Sequence, residues 1–167
     1  MNEQFYELFV VYGGAGSTLS LIIAMLFFCK SKRITELGKL ALIPGIFGIN
    51  EPIIFGLPMV LNPVMVLPFL LIPIFNILVG YTSMAMKLVP ITNGVTIPWT
   101  TPPVISGFLA TDWRGAVLQI ILIIIGIFLY MPFIKAMDKQ YLADEANAVE
   151  VASNDDIDLD SLSFDDL

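Results

Sequence analysis

Histidine is missing from this 167-residue chain, and cysteine occurs once, at Cys29. These absences exclude a disulfide framework within the chain, a multi-Cys/His metal site and any His-based catalytic triad. Cys29 closes an apolar run and reads as packing. Charge is scarce as well: 14% of residues are charged against 57% hydrophobic, and the mean hydropathy is +0.85. That balance belongs to a membrane chain rather than a soluble one. The net charge of -7 describes one end only, because nine of the fifteen carboxylates fall in residues 141–167, where no Lys or Arg occurs. Without a basic patch carrying interleaved aromatics, nucleic acid is excluded as a partner. The opening MNEQFYELF has two acids and no basic region, so the first apolar stretch does not read as a cleavable signal and is expected to stay in the protein. No glycine-rich loop with a lysine is present to cradle a phosphate. Glu51 apart, the apolar region offers no pair of catalytic groups, which argues against a membrane enzyme with its own active site. No cofactor or metal site is read.

What is present is an irregular series of apolar segments. Residues 11–29 are long enough, at 1.5 Å per residue, to cross a hydrocarbon core of about 30 Å. Their opening, Gly13-Gly14-Ala15-Gly16-Ser17-Thr18, places small residues four apart and reads as a helix-packing surface, with ligand contact as the alternative. Lys30, Lys32, Arg33 and Lys39 follow, and charge bias puts them in the cytoplasm. Ten of the eleven prolines then fall between Pro44 and Pro103, a density that uninterrupted helices cannot carry. Residues 40–61 hold two apolar arms of about ten residues around Gly48-Ile49-Asn50-Glu51-Pro52, each about half a bilayer long if helical. That arithmetic predicts a hairpin entering and leaving by one face. Residues 91–111, with the tip Ile97-Pro98-Trp99-Thr100-Thr101-Pro102-Pro103, read the same way from the opposite face. Between them residues 64–86 predict a span bent at Pro68 and Pro73, in which Asn76 needs a polar partner. Residues 115–134 cross back and meet Lys135 and Lys139, again on the cytoplasmic side.

The expected fold is therefore all-α and integral to the membrane: about three spanning helices plus two oppositely inserted re-entrant hairpins meeting near mid-membrane, a transporter plan. The expected division is a membrane domain over residues 1–140 and an acidic, disordered tail over residues 141–167, solvated or available to dock a soluble partner. The C-terminus is expected in the cytoplasm.

Glu51 carries the sharpest chemical signal. A carboxylate at membrane depth costs on the order of 2.5–3.5 kcal/mol unless it faces a cavity or a partner. Asn50 is placed to cap a half-helix with Pro52 in its first turn. A carboxylate acceptor beside helix-start donors suits a neutral polyhydroxylated ligand. Pairing of Glu51 with a basic residue elsewhere, or a protonated Glu51 in a proton-coupled carrier, stays open. Trp99 offers an indole that would lie against the apolar face of a sugar ring, although interfaces also collect such aromatics; Trp113, beside Asp112 and Arg114, fits the interface better. Thr100 and Thr101 either exchange hydrogen bonds with hydroxyls or cap the arm that starts at Pro102.

Gly48-Ile49-Asn50-Glu51-Pro52-Ile53-Ile54-Phe55-Gly56-Leu57-Pro58, followed by Asn62-Pro63 and by Pro98-Trp99-Thr100-Thr101-Pro102, resembles the membrane (IIC) component of bacterial phosphotransferase-system permeases of the lactose, cellobiose and diacetylchitobiose group. The likeness runs over residues 13–141. It implies that Asn50 and Glu51 hydrogen-bond a disaccharide, with Glu51 beside the hydroxyl that becomes phosphorylated and able to orient or deprotonate it, and that Trp99 stacks on the sugar. It also implies a sugar-carrying domain that moves against a fixed dimerisation domain in the cytoplasmic membrane, and a phosphoryl group supplied by the phosphocysteine of a IIB partner. On that view the chain is no enzyme by itself but part of a sugar phosphotransferase complex. Members of the group are longer, with an N-terminal half that supplies dimer-forming helices and a sugar-site histidine. The chain is thus expected to be a C-terminal part of such a permease, needing the missing N-terminal half or a homodimer partner to transport. A proton- or ion-coupled sugar carrier and a non-transporting membrane remnant are the alternatives.

Overall fold

A computed structural model describes residues 3–57, 59 and 62–161, the backbone alone over 150–161. Every regular element among them is helical. A short α1 (Glu3–Phe5) runs into a π-helical turn, Tyr6–Val10. The chain then unwinds and resumes as α2 (Thr18–Phe28), followed by α3 (Lys32–Ile46), α4 (Glu51–Gly56), α5 (Pro63–Ala85), α6 (Ile105–Ala110) and a long α7 (Trp113–Ser161).

The first expected span is not one helix. Gly13, Gly14 and Gly16 adopt positive φ, and Ser17 joins them at φ 55°. α2 keeps only 11 residues, about 16 Å. Unwinding exposes peptide groups that lipid cannot satisfy, at several kcal/mol for each one left unpaired. Side chains from four directions take them up. Ser17 Oγ and Asn76 Nδ2 both donate to Val10 O, at 2.6 and 3.0 Å. Thr18 Oγ1 donates to Gly13 O (2.7 Å), Asn50 Nδ2 to Ala15 O (2.9 Å) and the Tyr130 hydroxyl to Gly16 O (2.5 Å). Tyr12 donates to Leu122 O (2.9 Å) and lies 3.1 Å from Ser20 Oγ, which itself donates to Ile123 O. The break is a built polar layer.

Two apolar cores flank that layer. One gathers Leu21, Ile22, Met25, Ile34, Ile53 and Ile134 at the end where the basic residues lie. The other gathers Phe5, Phe9, Leu19, Ile97, Leu118 and Leu122 at the far end. α2 packs on α7 and α3, and α5 packs on α7.

α5 matches the middle span to within a residue at each end. Its 23 residues reach about 34 Å with Pro68 and Pro73 inside, and Asn76 finds its partners in Ser17 Oγ (2.8 Å) and Val10 O. Asn76→Leu should lower stability by about 1–3 kcal/mol, since it strips a donor from a buried carbonyl and a buried hydroxyl. Thermal unfolding in detergent reads this directly; an unchanged midpoint would show the layer closes without Asn76.

The two interrupted stretches both fold back, by different means. α3 and α4 form a helical hairpin around residues 47–50, with Gly56 backing onto Leu37. Its first arm starts at Lys32 rather than near residue 40, because Ser31 caps the helix and accepts from Ile34 N. Pro58, Val60 and Leu61, at the end of the expected second arm, lie outside the described residues. In the second stretch the first arm is not a helix. Residues 90–98 carry no regular secondary structure, with Pro90, Gly94 and Pro98 among them, and only α6 is helical. Asn93 N donates to Ala110 O (2.9 Å) and Asn93 Nδ2 to Leu109 O (3.1 Å), which ties the arms together. Gln4 pins the irregular arm, donating to Val95 O (2.6 Å) and accepting from Ile97 N (2.8 Å) in the amide orientation that satisfies both.

The disorder expected for the acidic stretch is corrected as far as Ser161, because α7 continues through it. Beyond Pro132 no Pro or Gly interrupts the helix, and the region is supplied with alanines. Its carboxylates also have structural work: Asp138 accepts from Lys30 N (3.0 Å) and Ser31 N (2.8 Å), and Glu145 accepts from Ser31 Oγ (2.6 Å) and Arg33 N (3.2 Å). Seven residues apart on one face, they hold the start of α3. Residues 162–167 lie outside the described residues.

Candidate functional site

The tips of both folded-back stretches meet the unwound segment around a cavity of about 430 Å³. Gly48 and Asn50 come from the first tip, Trp99 and Thr101 from the second, Tyr12 and Gly13 to Ala15 from the break, and Glu3, Tyr6 and Glu7 from the opening helix. Gly48 is what lets the tips touch. At φ +84°, any Cβ there would stand 3.2 Å from both the Trp99 ring and the Trp99 carbonyl oxygen, in a conformation that side-chain-bearing residues rarely adopt. Gly14 does the same against Asn50, whose Cγ would lie 2.6 Å from an added Cβ.

Asn50 is buried, at 7% exposure. It stands at the cap position of α4 with Pro52 in the first turn, but its side chain makes no capping bond. The amide instead reaches across to Ala15 O, a correction to the expected cap that ties the first tip to the break. Trp99 is 58% exposed with its ring bordering the cavity. Thr101 N donates to Pro98 O (2.9 Å), closing the turn that presents Trp99. The capping alternative for Thr100 and Thr101 is not what forms: α6 starts at Ile105 after Val104, with no side-chain cap. Glu51, the first residue of α4, is exposed, and neither Glu51 nor Thr100 is among the residues lining the cavity.

Gln119 was given no part by the sequence, yet it holds the second tip. Its Oε1 accepts from Val104 N (2.6 Å) and Gly107 N (2.9 Å); its Nε2 donates to Leu8 O (2.7 Å) and Ser106 Oγ (3.1 Å). A lone amide in a long apolar run was the available signal, the same one that marked Asn76. Glu7 was also missed, because the opening residues were read only for targeting, and so was Tyr12, which lies in what reads as a plain apolar span. The cavity lining thus offers carboxylates, hydroxyls, an amide and an indole, but no Lys or Arg. Among the described residues no three His, Cys, Asp or Glu side chains gather to hold a metal ion.

Among the described residues two helices, Pro63–Ala85 and Trp113–Val149, are long and apolar enough to cross a membrane, and the broken segments meet at a polar cavity. The family described as "Phosphotransferase system, EIIC" matches residues 1–73. The chain is 44% identical over 146 residues to the lichenan permease IIC component of Bacillus subtilis, covering 86% of this chain and 32% of that protein. It is 46% identical over 147 residues to the cellobiose-specific EIIC component of Geobacillus stearothermophilus, covering 87% and 33%. In structure it is similar to the transporter ChbC, the IIC component of the N,N'-diacetylchitobiose-specific phosphotransferase system, with a TM-score of 0.85 and 39% identity over 87% of this chain and 34% of that one. The chain is homologous to phosphotransferase-system EIIC permeases, integral membrane proteins, and spans about a third of the length of the relatives it matches.

Proposed function

We propose that the chain forms the sugar-binding part of a phosphotransferase-system permease, and that the cavity between the two tips receives a neutral disaccharide of the cellobiose, lactose or diacetylchitobiose kind. One observation carries this reading: two separately folded tips and an unwound backbone converge on about 430 Å³ of mixed polar and aromatic lining, within the range of small-molecule sites. Trp99 would stack on a sugar face, while Asn50, Thr101 and Glu7 would bind hydroxyls. With Glu3 and Glu7 in its lining and no Lys or Arg among the described lining residues, the cavity favours a neutral sugar over its phosphorylated product, so phosphorylation would help release.

In this reading Glu51 engages the sugar and orients or deprotonates the hydroxyl that takes the phosphoryl group from a IIB partner's phosphocysteine. Its exposure one residue from Asn50 leaves it accessible to a ligand or to a tip movement. The two folded-back stretches act as oppositely inserted re-entrant hairpins in the cytoplasmic membrane, with Lys30, Lys32, Arg33, Lys135, Lys139 and the C-terminus on the cytoplasmic side. Transport requires the remaining part of a IIC permease or a homodimer partner.

Indole emission tests the site. In a Trp113→Phe chain in detergent, cellobiose, lactose or diacetylchitobiose should shift the Trp99 emission saturably, and Asn50→Leu should abolish the shift. If none of the three sugars alters the signal more than a matched sucrose control, this cavity is not the sugar site.

A further inference from the structure

We infer that a second hollow, at the end of the bundle away from the polar extension of α7, binds the headgroup of an anionic phospholipid. It occupies about 460 Å³ between the end of α5 and the start of α7, lined by Ser83 and Lys87 on one side and by Trp113, Arg114, Val117 and Ile121 on the other. Lys87 follows the last turn of α5, and its N–H donates to Met84 O (3.0 Å) while its backbone adopts φ +59°. Lys87 shares the lining of the hollow with Trp113 and Arg114 of α7. Arg114 lies 5.7 Å from the Trp113 ring centre, a cation–π contact that fixes the guanidinium over an aromatic wall.

Among the described residues, none that lines the hollow is acidic. Asp112, the nearest acid in the chain, is exposed and not in the lining. Two cations therefore face one concavity with nothing inside it to neutralise them. Below them Val117 and Ile121, each more than 40% exposed, continue as an apolar wall along the crossing part of α7. A phosphate diester beside Lys87 and Arg114, with an acyl chain on Val117 and Ile121, matches both halves of this surface; a free phosphate would use only one. Trp113, at 63% exposure, lies at the level where amphipathic rings meet headgroups.

Native mass spectrometry of the full chain released from mixed micelles tests this. Phosphatidylglycerol should be retained in preference to phosphatidylcholine. Lys87→Gln with Arg114→Gln should weaken retention by about thirtyfold, from about fivefold per cation, while Lys135→Gln with Lys139→Gln at the opposite end should leave it unchanged. Equal retention by the first pair, or equal loss in the second, would overturn the site. A readout independent of those variants is Trp113 emission in a Trp99→Phe chain, which brominated phosphatidylglycerol should quench more than brominated phosphatidylcholine; equal quenching overturns the assignment. Displacement by glycerol phosphate at matched concentration would assign the hollow to a soluble anion and overturn it too.

Discussion

Replacing Glu51 with Gln is expected to reduce sugar phosphorylation by about 10²–10⁴-fold, the usual contribution of a positioned general base, while leaving the fold intact. The second half of this expectation follows from exposure: a side chain at the surface that holds no packing contact typically changes stability by less than about 0.5 kcal/mol when replaced by an isostere. The first half follows from the proposed role, since an amide still accepts a hydrogen bond but cannot take a proton. Binding should weaken as well, by about tenfold or more, because a hydrogen bond to a charged acceptor is worth about 1.5–3 kcal/mol. Phosphoenolpyruvate-dependent phosphorylation in vesicles that also supply a IIB partner and the rest of a IIC permease separates the two effects. Wild-type turnover by Glu51→Gln would remove Glu51 from the chemistry. Uptake that persists without phosphoenolpyruvate and follows the proton gradient would replace the phosphotransfer reading with a coupled carrier.

Gln119→Leu should dislodge the second tip. Four hydrogen bonds converge on this one amide, and leucine leaves the half-buried N–H of Val104 and the buried N–H of Gly107 without acceptors. At about 1–3 kcal/mol for each orphaned group, the tip loses several kcal/mol of local stability. Hydrogen exchange should then accelerate across residues 99–110 and stay slow across α3, and the sugar-dependent shift of Trp99 should disappear. Gln119→Glu gives an intermediate case. It keeps the acceptor for Val104 and Gly107 but surrenders the donor to Leu8 O. Unchanged protection of residues 99–110 in Gln119→Leu would mean that the tip is held by α6 packing alone.

Much of this arrangement could be read in the amino-acid string where proline and charge punctuate it. The turn at residues 47–50, the limits of α5, the start of α7 and the need of Asn76 for a partner all follow from the spacing of Pro, Asn and charged residues. The break at Gly13 to Ser17 did not, because a hydropathy window scores glycine, alanine and serine much alike whether they pack two helices or unwind one. What decides between these is the supply of side-chain donors from Asn50, Asn76 and Tyr130, 35 to 114 residues away, a long-range fact. The irregular arm over residues 90–98 escaped for a related reason, since it is held by Gln4 and Asn93 rather than by its own composition. Asn50 and Trp99 were singled out in the sequence and do line one cavity. Glu7 was not, because nothing local distinguishes an acid near a chain's start from a solvated one.

The occupied carbonyls of the break before α2 bear on which gradient could drive such a protein. Sodium-linked carriers ring their cation with oxygens freed where a helix comes apart. Here Val10, Gly13, Ala15 and Gly16 each already hold a hydroxyl or amide hydrogen, and Val11 and Gly14 hold backbone ones. Of these Val10 O takes two donors, filling both its lone pairs, so seating an alkali ion on it would displace a contact from Ser17 or Asn76 that keeps the loosened segment in place.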